Sequence, residues 1–138
     1  MSSIVERPRV RATYPFHAAV LAGALPLYLG ALLADYAYWR SYEIQWSNFA
    51  SWLLIGAMVM TSIALLCEII GLVRSRGRLF YFLLLVATWI VGLFDALHHG
   101  RDAWAIMPTA LTLTVIVSAL ALLATWIGFS NLRAGGVR

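Results

Sequence analysis

Lysine is absent from this sequence, and cysteine occurs once, at Cys67. A single cysteine excludes an internal disulfide and any metal site built on cysteine spacing, and leaves Cys67 as a small packing residue within an apolar run. Charge is scarce as well: Asp, Glu, Lys and Arg make up 12% of the 138 residues, against 62% apolar. That balance, with its positive mean hydropathy, excludes a soluble domain of this size and makes a lipid bilayer the expected surrounding. Internal repeats and low-complexity tracts are also lacking. The apolar runs do not alternate with period two, which excludes the strands of a membrane barrel. The net charge of +4 comes with no soluble domain to present a basic patch, so nucleic acid is excluded as a partner.

What is present is four long apolar runs. Crossing the ~30 Å hydrocarbon core takes roughly 20 residues of helix, and four segments reach about that length. The expected fold is an all-α integral membrane protein: one domain over residues 1–138, with four transmembrane helices at about 16–36, 49–73, 79–98 and 103–130 in an antiparallel bundle. Arg7, Arg9 and Arg11 before the first run give it the look of a signal peptide. Its apolar part is too long for that, and no small-x-small cleavage site follows, so it reads as a permanent helix.

The arginines set the orientation. Arg7, Arg9, Arg11, Arg74, Arg76, Arg78, Arg133 and Arg138 fall on one side of four spans, and only Arg40 and Arg101 on the other. The positive-inside rule then makes both termini cytoplasmic. Asp35, Glu43, Asp95 and Asp102 gather on the opposite side, periplasmic or its equivalent. There "YAYWRSYEIQWSN" reads as a longer connection bearing a belt of Tyr36, Tyr38, Trp39, Tyr42 and Trp46, with Ser47 or Asn48 capping helix two. "RSRGR" turns on Gly77, and "NLRAGGVR" ends helix four at Asn131 and the Gly135–Gly136 pair. Pro26 is expected to kink helix one, and Pro108 to sit one turn into helix four.

Small residues four apart mark packing faces: Ala19 with Gly23, Gly30 with Ala34, and Gly92 with Ala96. Thr114, Ser118 and Thr125 form a hydroxyl stripe on helix four. It reads as bonding to its own backbone or to a neighbouring helix, because a polar conduction path would need buried acids that the stripe lacks.

Two groups of ionisable residues stand out. His17 and Glu68, one at the start of helix one and one near the end of helix two, fall at the cytoplasmic interface. They are expected either to pair or to leave Glu68 snorkelling or protonated. The second group is "LFDALHHGRDAW", with Asp95, His98, His99, Arg101 and Asp102, to which Asp35 adds from the end of helix one. Asp95 lies three and four residues before His98 and His99, so all three share a helical face. Asp102 suits the N-terminus of helix four, and Arg101 can pair with Asp35 or Asp95. Histidines beside acids also offer metal ligands, with His98, His99 and Asp95 as the candidate set. A haem shared by His17 and His98 is excluded within one chain. These residues sit at opposite ends of two helices running the same way, ~25–30 Å apart. Haem would need His98 or His99 with Met107 or a second subunit.

"YEIQWSNFASWLL", "LLLVATWIVGLFDALHHGRDAWAIMP" and "TWIGFSNLR" resemble a bacterial family of four-helix inner-membrane proteins catalogued as domain-of-unknown-function family 2231. The resemblance runs from Pro15 to Arg133, and its most specific part is H-x-R-D-A-W, here His99, Arg101, Asp102, Ala103 and Trp104. In that family such modules stand beside, or are fused to, periplasmic sorbosone-type sugar dehydrogenases that use pyrroloquinoline quinone. The resemblance implies an accessory or anchor subunit of a periplasmic-facing redox system, without catalytic activity of its own. Asp35, Asp95, His98, His99, Arg101 and Asp102 would form its contact or cofactor-proximal surface. The alternatives are a small metal-binding or transport protein using that cluster, and a purely structural module. A homo-oligomer could complete a site between subunits.

Overall fold

The computed structural model describes residues 15–74 and 78–136, and places nearly all of them in four helices: α1 Pro15–Ser41, α2 Ile44–Arg74, α3 Leu79–His99 and α4 Thr109–Gly136. A 3-10 turn at Ala103–Ala105 precedes α4. All four helices are long and apolar enough to cross a membrane. Arg7, Arg9, Arg11, Arg76, Gly77 and Arg138 lie outside the described residues.

α1 packs against α2 and α4, and α3 packs against the same two helices. Hydrogen bonds fix the relative directions. Asp35 and His99, both near the C-terminal ends of their helices, are bonded to each other, and His17 and Tyr81 join the two N-terminal ends. α1 and α3 therefore run the same way. α4 brings its N-terminal turns to the Asp35 end.

The burial pattern explains why apolar residues on nearly every side still specify one arrangement. In α2 the buried positions are Ser47, Ala50, Leu54, Ala57, Thr61, Ala64 and Glu68, alternating steps of three and four. That is a heptad seam, and its members are mostly small or polar. The large side chains face outward: Leu33, Trp52, Phe94 and Trp126 are among the most exposed. In lipid, no hydrophobic force drives helices together, so close packing of small residues and internal polar bonds must do so. Gly92 shows how close. A methyl there would stand 2.6 Å from Met58 Sδ and 3.2 Å from the Tyr28 hydroxyl. Gly23 faces Met60 and Gly30 faces Leu53, whereas Ala19 is exposed and forms no packing pair.

Several boundaries differ from the sequence reading. α2 begins at Ile44 instead of near residue 49, and α1 continues to Ser41, so the long outer connection shrinks to Tyr42–Glu43. Thirty-one residues of α2 span about 46 Å, more than the roughly 30 Å that a hydrocarbon core requires. Ser47 is consequently no cap: it lies buried on the α2 seam, and its carbonyl accepts from Ser51 Oγ at 2.9 Å. Tyr38 leaves the aromatic belt, being wholly buried with its hydroxyl donating to the Ala103 carbonyl at 2.8 Å. Pro108 precedes α4, because residues 103–105 form the separate 3-10 turn. α1 stays helical through Pro26, and α4 passes Asn131 without stopping.

Candidate functional site

Three apolar layers follow the helix axes. Val20, Leu21, Ala64, Tyr81, Leu84, Leu85 and Ala124 pack at one end; Ala24, Tyr28, Ala31, Leu54, Ala57, Val117 and Ala121 fill the middle; Tyr38, Ile106 and Ala110 close the other end. Between the middle and closing layers lie Asp35, Asp95, His99 and Thr114. Both aspartates and the threonine are 0% exposed, and His99 is 7% exposed. α1, α3 and α4 each contribute, because each carries its polar residue on the inward seam.

The bonds within this centre are dense. His99 Nε2 lies 2.8 Å from Asp35 Oδ1. Its Nδ1 is 2.9 Å from the Asp95 carbonyl and 3.2 Å from Asp95 Oδ1. Thr114 Oγ1 contacts Asp35 Oδ2, and it lies 2.9 Å from both Asp95 Oδ2 and the Ala110 carbonyl. Hydrogen bookkeeping restricts how these are filled. A carbonyl oxygen only accepts, so Nδ1 carries a hydrogen and directs it there. Asp95 Oδ1 is therefore close to Nδ1 but has no hydrogen-bond donor of its own. Thr114 has one hydroxyl hydrogen for three oxygens, so it can donate to only one of them at a time. One arrangement fills both carboxyl contacts. A protonated Asp95 donates to Thr114, Thr114 donates to Asp35, and an imidazolium at His99 donates to the other Asp35 oxygen. That arrangement is also neutral overall, as burial away from water favours.

The remaining predicted residues lie apart from this centre. His98 turns its Nε2 to the Ile106 carbonyl at 3.1 Å, pinning the connection to α4. Arg101 and Asp102 are exposed. Asp102 accepts from the Trp104 amide at 3.3 Å in the 3-10 turn, not at the start of α4. Arg101 forms no ion pair with Asp35 or Asp95; His99 takes that place. Because α4 starts six residues later than expected, Arg101 sits in an exposed turn. The six residues thus form no single contact surface, since Asp35, Asp95 and His99 are buried.

At the opposite end, His17 and Glu68 are both buried but bond elsewhere. His17 Nε2 lies 3.0 Å from the Tyr81 hydroxyl, and Glu68 Oε1 lies 3.6 Å from Arg78 Nε. His17 Nδ1 and Glu68 Oε1 have no hydrogen-bond partner. Arg78, counted in the sequence only as an orientation marker, is the counterion.

Thr114 bonds its own helix at Ala110 and neighbouring helices at Asp35 and Asp95, as expected of the hydroxyl stripe; that those partners are two buried acids is what spacing does not reveal. Ser118 does bond a neighbouring helix, at the Tyr28 carbonyl, and Thr125 its own, at Ala121. Haem gains no support from the donors: His98 points its Nε2 at the Ile106 carbonyl, and His99 Nε2 faces Asp35 instead of Met107. Asp35, Asp95 and His99, by contrast, offer ligand atoms within 4.8 Å of one another. No protein-family model matches the chain, and neither curated proteins nor solved structures give a match.

Proposed function

We propose that this is a multi-pass inner-membrane protein that binds a cation at the Asp35–Asp95–His99 centre. The observation that carries this reading is the full burial of two carboxylates and an imidazole within helices apolar enough to cross a bilayer. Ionisable groups at such depth are costly, and where they occur they mark ion or substrate sites. A clamp between α1 and α3 would need only one aspartate and the histidine. The second aspartate, with an oxygen that lacks a donor, exceeds that need. The four helices form an antiparallel bundle with both termini cytoplasmic, supported by the eight-to-two division of arginines. In that orientation the centre lies under the periplasmic face, one layer of side chains deep.

The test is the melting temperature of the detergent-purified protein across metal salts, alkali cations and pH. The reading expects at least one cation or proton concentration to shift the wild type, and expects Asp35→Asn and Asp95→Asn to lose that response. Identical responses in all three proteins would reduce the centre to a clamp.

An accessory role beside a periplasmic oxidoreductase, as the family 2231 resemblance implies, is supported by the rim at the same end. Tyr42 and Trp104 stack there with centroids 6.1 Å apart, and Trp104, Arg101 and Asp102 are exposed. Alanine at Arg101 and Trp104 should release a bound sugar dehydrogenase while leaving cation binding intact. Retention of the dehydrogenase by that double variant counts against the role.

A further inference from the structure

We propose that Asp35, Asp95 and His99 are ligands of a divalent transition-metal ion, an inference that rests on the cation-binding reading and names its occupant. Four points support it. The three residues present one nitrogen and two carboxylate oxygens within 4.8 Å of one another. Ligand distances of about 2.0–2.2 Å put the donors of a tetrahedral set about 3.4 Å apart, so the three side chains would draw in around an ion.

The second observation is Asp95 Oδ1. It is buried, inside the centre, and without a donor. A buried carboxylate oxygen left in that state costs free energy, and a bound cation would remove that cost. The third is the imidazole. Its Nδ1 is tied to the Asp95 carbonyl at 2.9 Å, as an outer bond orients metal-ligating histidines, and its Nε2 already faces Asp35 Oδ1 at 2.8 Å, so one ion could take both donors in place of that hydrogen bond. Thr114 Oγ1 lies between the two carboxylates, against Asp35 Oδ2 and 2.9 Å from Asp95 Oδ2, and can donate to either one.

The fourth point is charge. Without an ion the centre is neutral in the arrangement given above; loss of the Asp95 proton and one His99 proton leaves −2, which a divalent ion cancels. A site this far from water tolerates little net charge. The donor set also selects the metal. Imidazole with two carboxylates suits Mn, Fe, Co or Zn, whereas Mg and Ca prefer oxygen alone. Soft copper(I) would want thiolate or thioether, and Cys67 lies one residue from Glu68, toward the other end of α2.

The first measurement is metal content by elemental analysis of wild-type protein, purified without chelator and incubated with Mn²⁺, Co²⁺ or Zn²⁺, followed by the visible spectrum of the Co²⁺ form. The expected result is about one ion per chain, with cobalt bands of mixed imidazole–carboxylate ligation. Affinity should fall roughly tenfold or more in Asp95→Asn and in His99→Gln, since even an outer-shell loss costs that much. Asp95→Asn keeps the size and an acceptor for Thr114, and circular dichroism checks that it folds. Wild-type protein that retains no divalent ion, or that binds one equally after either substitution, overturns the assignment. If the melting temperature then still responds to pH or an alkali cation through Asp35 and Asp95, the metal is wrong and the cation-binding reading stands. If it responds to nothing, both fall.

Discussion

At Thr114 one hydroxyl hydrogen serves two carboxylates and a carbonyl. Thr114→Val keeps the shape and removes the hydroxyl, leaving buried carboxyl oxygens without their shared partner. That should cost about 2–3 kcal/mol, read from unfolding in mixed micelles, while Thr114→Ser recovers most of it. Ser118→Ala is the matched comparison. Its single interhelical bond to the Tyr28 carbonyl should be worth about 0.6 kcal/mol, the usual value inside membranes. Equal losses at the two positions would mean that Thr114 is merely another back-bonding hydroxyl. At this scale the sequence was half legible. Helix ends placed Asp35, Asp95 and the two histidines together, because hydropathy marks where a span stops. It could not say that His99 turns inward and His98 toward the α4 connection, nor that His99 rather than Arg101 is the counterion. Those choices depend on where α4 begins, and the 3-10 turn at Ala103–Ala105 is invisible to a count of apolar residues.

Among the elements, α3 meets α1 and α2 most tightly at Gly92. A methyl placed 2.6 Å from Met58 Sδ forces that side chain to move, and Gly92→Ala should cost about 1–3 kcal/mol. Shortening the obstacle with Met58→Ala should reduce that penalty, so a double-mutant cycle in micelles would show strong coupling; additivity would place the crowding elsewhere. The turn between α1 and α2 offers a second cycle. Tyr42 has φ +54°, a left-handed conformation that costs a side-chain-bearing residue about 1–2 kcal/mol. Its stack on Trp104 returns about 0.5–1.5 kcal/mol. Tyr42→Gly should therefore leave wild-type stability nearly unchanged, yet stabilise a Trp104→Ala protein by about 1 kcal/mol. Equal effects in both backgrounds would contradict the compensation. Neither the glycine contact nor the turn could be read in detail beforehand. Small-residue spacing flagged Gly92 correctly but flagged exposed Ala19 with equal weight.

For the molecule as a whole, the interior is small and polar while the surface is large and apolar. Hydropathy windows found the four spans but were blind to facing, because they sum over all sides. Facing was nevertheless written in α2, where Ser47, Ala50, Leu54, Ala57, Thr61, Ala64 and Glu68 recur at steps of three and four, all but Leu54 small or polar. A run that is apolar on nearly every side hides such a seam, because small and large apolar residues weigh alike in hydropathy. The same seam restricts how the chain can change length. One alanine inserted between Ala57 and Thr61 rotates all that follows by about 100°, so Glu68 would face hydrocarbon or Leu54 and Ala57 would leave α1. Four inserted residues miss a full turn by only about 40°, and seven by about 20°. Single insertions should therefore yield aggregated protein on size exclusion, whereas four- or seven-residue insertions give a monodisperse peak. Length in this helix is then a stepwise quantity, open to drift by turns and closed to drift by residues.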